Sequence, residues 1–284
     1  MADIKSLSLI APAKINPFLE VSKKRNDGYH NIVTVMQTVS LYDEIELTAD
    51  TEFISVTVEN HPALSGDNNI VYDAIKKFFE FSELKSCASA VIKKNIPISA
   101  GLGGGSADAA AVLKGLNCLY GNILSENELL TIGKSLGADV PFCIKGGSAV
   151  AKGIGELLLP CPPLSECFIV IAISGKKEST ASMYAKLDES GKRKIISEDM
   201  FVGALSKGDL KMIGKLMYNA FSFVNATDKR IEDTFSSYGA LGSCVSGSGP
   251  SFIGLFDDEK KAIGAKNALL SLGINAYTVT PVIA

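Results

Sequence analysis

The sequence is poor in the residues that build metal centres and cross-links. It has two histidines, His30 and His61, and six cysteines with no C-x-x-C pair among them. The nearest two, Cys161 and Cys167, are separated by five residues, two of them prolines. That pattern argues against a zinc site. Scattered thiols instead fit small buried hydrophobes in a reducing cytoplasm. No stretch of 18 apolar residues occurs, so no membrane span is expected. The opening "MADIKSLSLIAPAKIN" has neither a basic segment followed by a long apolar run nor an Arg- and Ser-rich composition, so no signal or transit segment is expected. A basic surplus is lacking too. Twenty-eight Lys and Arg stand against 31 Asp and Glu, for a net charge of −3. A general nucleic-acid binder is thereby disfavoured, whereas a small anionic ligand needs only a few local donors. Nothing implies an obligate protein partner.

What is present is ordinary globular material: 46% hydrophobic and 21% charged residues over 284 positions. At about 150 residues per domain, this length suggests two domains or one larger fold. The clearest boundary is "PCPPL", residues 160–164, which divides the chain into 1–159 and 160–284. Before it, "SLSLIAPAKINPFLEV" reads as a strand broken at Pro12. "NIVTVMQTVSL", "EIELTAD" and "FISVTVEN" alternate like further strands. "NNIVYDAIKKFFEFS" has helical spacing, with Ile70, Ala74, Phe78 and Phe81 on one face. "SENELLTIGKSLG" opens with a capping-box pattern, Ser125 and Glu128. After the boundary the order is strand, helices, strand, strand, helix, strand, as in a split βαβ sandwich. Both halves read as α+β.

One segment stands out. "KNIPISAGLGGGSADAAAVLKGL", residues 94–116, has glycine at four of the five positions 101–105 and then enters an alanine-rich helix. Glycines admit positive φ and close approach of a ligand to the backbone. The helix adds unsatisfied N–H groups and the positive end of its dipole, so main chain alone can hold a phosphate. Three familiar patterns fail here. There is no G-x-x-x-x-G-K-[ST]. Ser106 stands where a dinucleotide fingerprint needs its third glycine, with Gly121 and Asn122 where an acidic ribose ligand belongs. Asp108 stands where a hydrolase elbow needs glycine.

Other segments are ambiguous alone. Lys14, in "PAKIN", reads by itself as a solvated lysine at a strand end. Tyr29 and His30, in "DGYH", are either hairpin residues or a nucleobase site. Asp139, in "GADVPF", is either a helix cap or a base. "SGSGPS", residues 246–251, is either a plain hairpin or a second loop leaning on the phosphates.

In this order, "PAKIN", "DGYH", "IPISAGLGGGSADAA", "GADVPF" and "SGSGPS" resemble the GHMP kinases from about residue 8 to residue 256. The resemblance implies an N-terminal domain like the second domain of a ribosomal protein and a ferredoxin-like C-terminal domain, with substrates in a cleft. It implies ATP with Mg²⁺ and, within the family, an acceptor that is a cytidine-diphosphate-linked methylerythritol of the non-mevalonate isoprenoid route. Asp139 would be the base and Lys14 its cationic neighbour. Pro97, Ile98, Ser99, Ala100, Gly101, Leu102, Gly103, Gly104, Gly105, Ser106 and Ala107 would wrap the triphosphate, Ser106 also touching Mg²⁺. Asn69 and Lys94 would lie near the adenine nucleotide. Tyr29 and Tyr184 would clamp cytosine, His30 would read its edge, and Asn16 and Thr180 would complete the acceptor site. Three positions depart from the family: Tyr184 for a frequent Phe, Ala107 for a frequent Ser, and Asp73 for a frequent basic residue. The alternatives are a mevalonate- or homoserine-type kinase, or a non-catalytic nucleotide sensor, which would have lost Lys14 or Asp139.

Overall fold

The computed structural model describes residues 5–176, 178–192, 194, 196–225 and 228–283. The chain falls into two compact units, one made of residues up to 13, 41–98 and 103–145, the other of 14–40, 99–102 and 146 onward. Two long strands, β1 (Ser6–Lys24) and β2 (His30–Ala49), pass through both.

In the first unit, β3 (Ser55–Val58) pairs parallel with β4 (Ala88–Lys93), and β4 pairs antiparallel with residues 44–49 of β2. Four helices pack together over the core: α1 (Ile70–Ser82), α2 (Gly104–Leu119), α3 (Glu126–Leu136) and α4 (Val140–Lys145). At Gly115, α2 lies close against the strands. A Cβ there would fall 2.7 Å from Leu9 and 2.8 Å from Leu47. The capping box on α3 forms as the spacing predicts, Ser125 accepting from the Glu128 amide. Helix α1 buries Val71, Ala74, Ile75, Phe78 and Phe79, and leaves Phe81 45% exposed. At 100° per residue, Ile70 and Phe81 fall at the edge of that stripe. Asp73 lies in the first turn of α1, where a carboxylate favours the helix dipole and a basic residue would oppose it. Ala107 is part of the buried core, where a serine hydroxyl would need a partner.

In the second unit, β2 pairs with β5 (Ser148–Lys152), β5 with β6 (Leu157–Pro160), and β1 in parallel with the short β8 (Tyr218–Asn219). The predicted break at Pro12 does not occur. Here β8 covers only Phe18 and Leu19 of β1, so Pro12 withholds its missing amide where, among the described residues, the strand has no neighbour on that side. A separate antiparallel sheet has the order β11-β7-β10-β9, from β7 (Phe168–Ile173), β9 (Gly242–Val245), β10 (Ser251–Phe256) and β11 (Asn275–Val279). Counted in chain order, that is 4-1-3-2, the ferredoxin-like arrangement expected from the sequence. Helices α5 (Thr180–Ser190), α6 (Glu198–Lys207), α7 (Leu210–Leu216) and α8 (Lys229–Ser237) follow β7, and α9 (Glu259–Ser271) joins β10 to β11. No described helix is long and apolar enough to cross a membrane.

Candidate active site

The glycine loop leaves β4 at Lys93 and enters α2 at Gly104. Ser99, Gly101 and Gly103 take positive φ, at 57°, 78° and 73°. For Ser99 this is a strained backbone of the kind that clusters at ligand sites. The Ala107 amide is the first to find a helical acceptor, the Gly103 carbonyl at 2.8 Å. The amides of Gly104, Gly105 and Ser106 precede it in the first turn, so the helix offers them none. They are the amides on which the sequence reading places a phosphate.

Within the first unit, the loop's entry limb is fixed by a buried cluster that the sequence did not signal. Asp43 is fully buried and accepts from the amides of Asn95 (2.6 Å) and Ile96 (2.8 Å). Its other oxygen accepts from Lys94 Nζ. Lys94 Nζ also donates to Asp108 Oδ2 at 2.7 Å, one turn into α2. Asn60 clamps the Lys94 backbone on both sides, at 2.7 and 3.0 Å. A Cβ on Gly104 would lie 3.2 Å from Lys94 Nζ, so the ammonium rests against the first residue of α2. Thus Lys94, expected near adenine, is held by two carboxylates. Asn69, also expected there, caps α1 by accepting from the Val71 amide at 2.9 Å and donates to the Leu64 carbonyl at 2.8 Å.

Burial pushes the Asp108 carboxyl from its ordinary 3.8 up to about 7; Lys94 opposes the rise and Asp43 adds to it. Asp108 Oδ1 has no hydrogen-bond partner among the described residues. The consequence for stability has a definite sign. Between about pH 4 and 7 the folded chain keeps a proton that the unfolded chain has released, so this group's contribution is full below pH 4 and is lost as pH rises to 7. Asp108→Asn removes the titration. Denaturant midpoints at pH 5 and pH 8 are expected to fall less with rising pH in the variant than in the parent; parallel losses would contradict the assignment.

Asp139 lies in the turn between α3 and α4 and its carbonyl accepts from the Cys143 amide at 3.1 Å. A Cβ built on Gly137 would come within 4.0 Å of Ser106 Oγ. The turn carrying Asp139 therefore sits beside the first turn of α2.

In the second unit, the Lys14 amide donates to the Leu102 carbonyl at 2.9 Å, which ties β1 directly to the glycine loop. The Lys14 side chain is buried and its Nζ donates to Asn16 Oδ1 at 2.7 Å. Asn16 Nδ2 donates to Thr34 Oγ1 at 2.9 Å, and Thr34 donates to the Phe18 carbonyl at 2.7 Å. Thr34 was missed in the sequence, where it reads as one more β-former. The 246–251 turn leans on the loop: Ser251 Oγ donates to the Ala100 carbonyl at 2.6 Å, and a Cβ on Gly101 would fall 2.9 Å from the Gly249 oxygen. Positive φ and this close approach together require glycine at 101.

The aromatic group is also in this unit. His30 stacks on Tyr184, with centroids 4.7 Å apart and planes at 13°, and Phe221 meets Tyr184 edge-on at 5.1 Å. One face of Tyr184 is thus covered by His30. Tyr29 is 61% exposed on the Asp27-Gly28 turn. Thr180 Oγ1 lies 3.4 Å from Ser248 Oγ, beside the second glycine turn.

Among the described residues, no group of three or more His, Cys, Asp or Glu side chains is placed to hold a metal ion. Mg²⁺ carried on nucleotide phosphates would use one or two protein oxygens and keep its waters. Ser106, on the first turn of α2, could supply one.

Residues 69–147 match the GHMP kinases N terminal domain, and residues 201–275 match the GHMP kinases C terminal domain. A 4-diphosphocytidyl-2-C-methyl-D-erythritol kinase of Caldicellulosiruptor saccharolyticus is 40% identical over 268 residues, 92% of each chain. One from Acetivibrio thermocellus is 39% identical, over 94% of this chain and 95% of its own. A crystal structure of 4-(cytidine 5'-diphospho)-2C-methyl-D-erythritol kinase superposes with a TM-score of 0.81 at 29% identity, covering 97% of this chain and 99% of that one. A homoserine kinase from Cytophaga hutchinsonii shares the fold, with a TM-score of 0.76 at 19% identity over 100% of this chain and 96% of its own. The chain belongs to the GHMP kinases, in the 4-diphosphocytidyl-2-C-methyl-D-erythritol kinase family.

Proposed function

We propose that this protein transfers the γ-phosphoryl group of ATP to the 2-hydroxyl of 4-diphosphocytidyl-2-C-methyl-D-erythritol. The observation that carries the reading is the backbone bond from Lys14 to Leu102, which sets a buried ammonium-bearing residue against the glycine loop. Phosphoryl transfer needs an oriented oxygen nucleophile and charge compensation on the moving group. The amides from Gly103 to Ser106 receive the triphosphate, within the segment Pro97–Ala107. Lys14 offsets charge on the transferred group, and Asp139 takes or orients the hydroxyl proton. Mg²⁺, with Ser106 as a protein contact, neutralises phosphate charge. Lys94 shapes the loop, and Asn69 caps the helix beside it. Tyr29 and Tyr184 offer stacking surface to cytosine, His30 reads the base, and Asn16 and Thr180 complete the acceptor site. We retain residues 1–159 as the half bearing the ATP loop and 160–284 as the other. A cytoplasmic setting is supported by six cysteines with no disulfide among them in the described residues.

Relatives acting on homoserine and mevalonate share this fold, so the acceptor must be read from the side chains. Those acceptors lack a nucleobase and would leave Tyr29 and His30 without a task. The test offers ATP and Mg²⁺ with each acceptor in turn and follows ADP. Release is expected with the cytidine-linked acceptor alone. Release with mevalonate or homoserine instead, or nucleotide binding with no turnover on any acceptor, would overturn the proposal.

A further inference from the structure

The base-reading histidine has a partner outside the motifs. Asp188 follows Tyr184 by four residues on α5, so one face of that helix presents a ring and then a carboxylate. The helix is held in place independently of either. Ser179 caps its start by accepting from the Ser182 amide at 3.1 Å. Met183 and Leu187, on the same helix, are buried against Leu19, Val21 and Ile32. His30 is thus restrained twice. Tyr184 fixes its plane, and Asp188 fixes its edge, with Nε2 at 3.0 and 3.1 Å from the two carboxylate oxygens. The His30 side chain is only 5% exposed.

An ionised carboxylate accepts hydrogen bonds and cannot donate them, so Nε2 carries the proton. In the neutral ring the lone pair is then on Nδ1, which can only accept. Cytosine has one donor on its pairing edge, the 4-amino group; uracil has a carbonyl oxygen at that place. An acceptor facing the 4-amino group makes a bond, and facing a carbonyl it leaves two lone pairs opposed.

We infer that Asp188 is a positioning residue for acceptor specificity: it holds His30 in the Nε2–H tautomer, so that Nδ1 accepts from a cytosine 4-amino group and disfavours uracil. The inference rests on the proposed reading of His30 as the base contact. A site built around such a bond discriminates against an analogue that cannot make it.

The test has two parts, both on the intact chain. With only two histidines in the sequence, ¹⁵N-histidine spectra resolve the His30 ring once His61→Gln removes the other. At a pH where the spectrum shows the ring to be neutral, the parent is expected to show the Nε2–H form. Asp188→Asn keeps the shape, but its amide can accept or donate, so a mixture of tautomers is expected. In parallel, cytidine diphosphate and uridine diphosphate compete with the acceptor. Cytidine diphosphate is expected to inhibit the parent about 100-fold more tightly. In Asp188→Asn that ratio should fall about tenfold, while kcat at saturating acceptor and KM for ATP stay within about twofold, a split that general structural damage would not produce. Failure of cytidine diphosphate to compete with the acceptor in the parent overturns the base-reading assignment itself. Competition with an Nδ1–H ring in the parent, or with an unchanged ratio in the variant, overturns the role of Asp188 alone. The parent spectrum decides the tautomer even if the variant does not fold.

Discussion

Asp139→Asn is expected to lower kcat about a thousandfold, with nucleotide affinity and melting temperature little changed. The replacement is nearly isosteric and keeps the backbone bond from the Cys143 amide to the residue-139 carbonyl. What it removes is the ability to accept the hydroxyl proton, a contribution of about 10²–10⁴ in rate. The turn carrying Asp139 lies beside Ser106 in the first turn of α2, next to the amides assigned to the phosphates. Steady-state ADP release, with nucleotide binding measured separately, separates chemistry from binding. A variant retaining more than a tenth of the parent's kcat would remove Asp139 from the catalytic role.

Lys14→Met is expected to lower kcat by about a hundredfold to a thousandfold, in the range found for deleting one charge-stabilising donor. Methionine keeps most of the buried volume and leaves the main-chain bond to Leu102 in place. It also removes the donor to Asn16 Oδ1, so some loss of stability is expected. KM for ATP should change only a few-fold, because the loop amides are retained. Lys14→Arg should not rescue turnover. The branched guanidinium does not fit a buried point-charge site whose ammonium is bonded to Asn16 at 2.7 Å. A full rescue by arginine, or a loss confined to KM for ATP, would contradict the role.

Local signals were legible in proportion to how local their physics is. The capping box at Ser125, the helix after the glycines and the order of strands and helices along the second half follow from spacing and composition. The glycine loop was legible because positive φ and close approach leave few alternatives to glycine, as Gly101 illustrates: the Gly249 oxygen is 2.9 Å from where a Cβ would sit. Pro12 misled because the sequence does not say on which side a strand lacks a neighbour. Phe81 misled because the helical stripe is centred one step away from the residues chosen. The buried cluster was invisible for a different reason. Lys94 is 51 positions from Asp43 and 14 from Asp108, and no residue of the three lies in a pattern that announces the others. Thr34 was hidden among β-formers, and Asp188 had only its i, i+4 spacing to Tyr184 as a clue.

The same cluster explains why a loop without a lysine in its glycine run still has lysines against it. Lys14 is bonded to Leu102 through the main chain, and Lys94 rests against Gly104. Lys94 is bound by two carboxylates, of which Asp43 also fixes the loop's entry limb, so its charge serves the shape of the loop. The cation proposed for the chemistry is Lys14, as the family resemblance implies.

The most direct measurement is an amide titration of ¹⁵N-labelled protein with a non-hydrolysable ATP analogue and Mg²⁺. The account predicts the largest shifts at Gly103, Gly104, Gly105 and Ser106, saturating with the analogue's affinity. Saturable binding that leaves those four amides unmoved would contradict it.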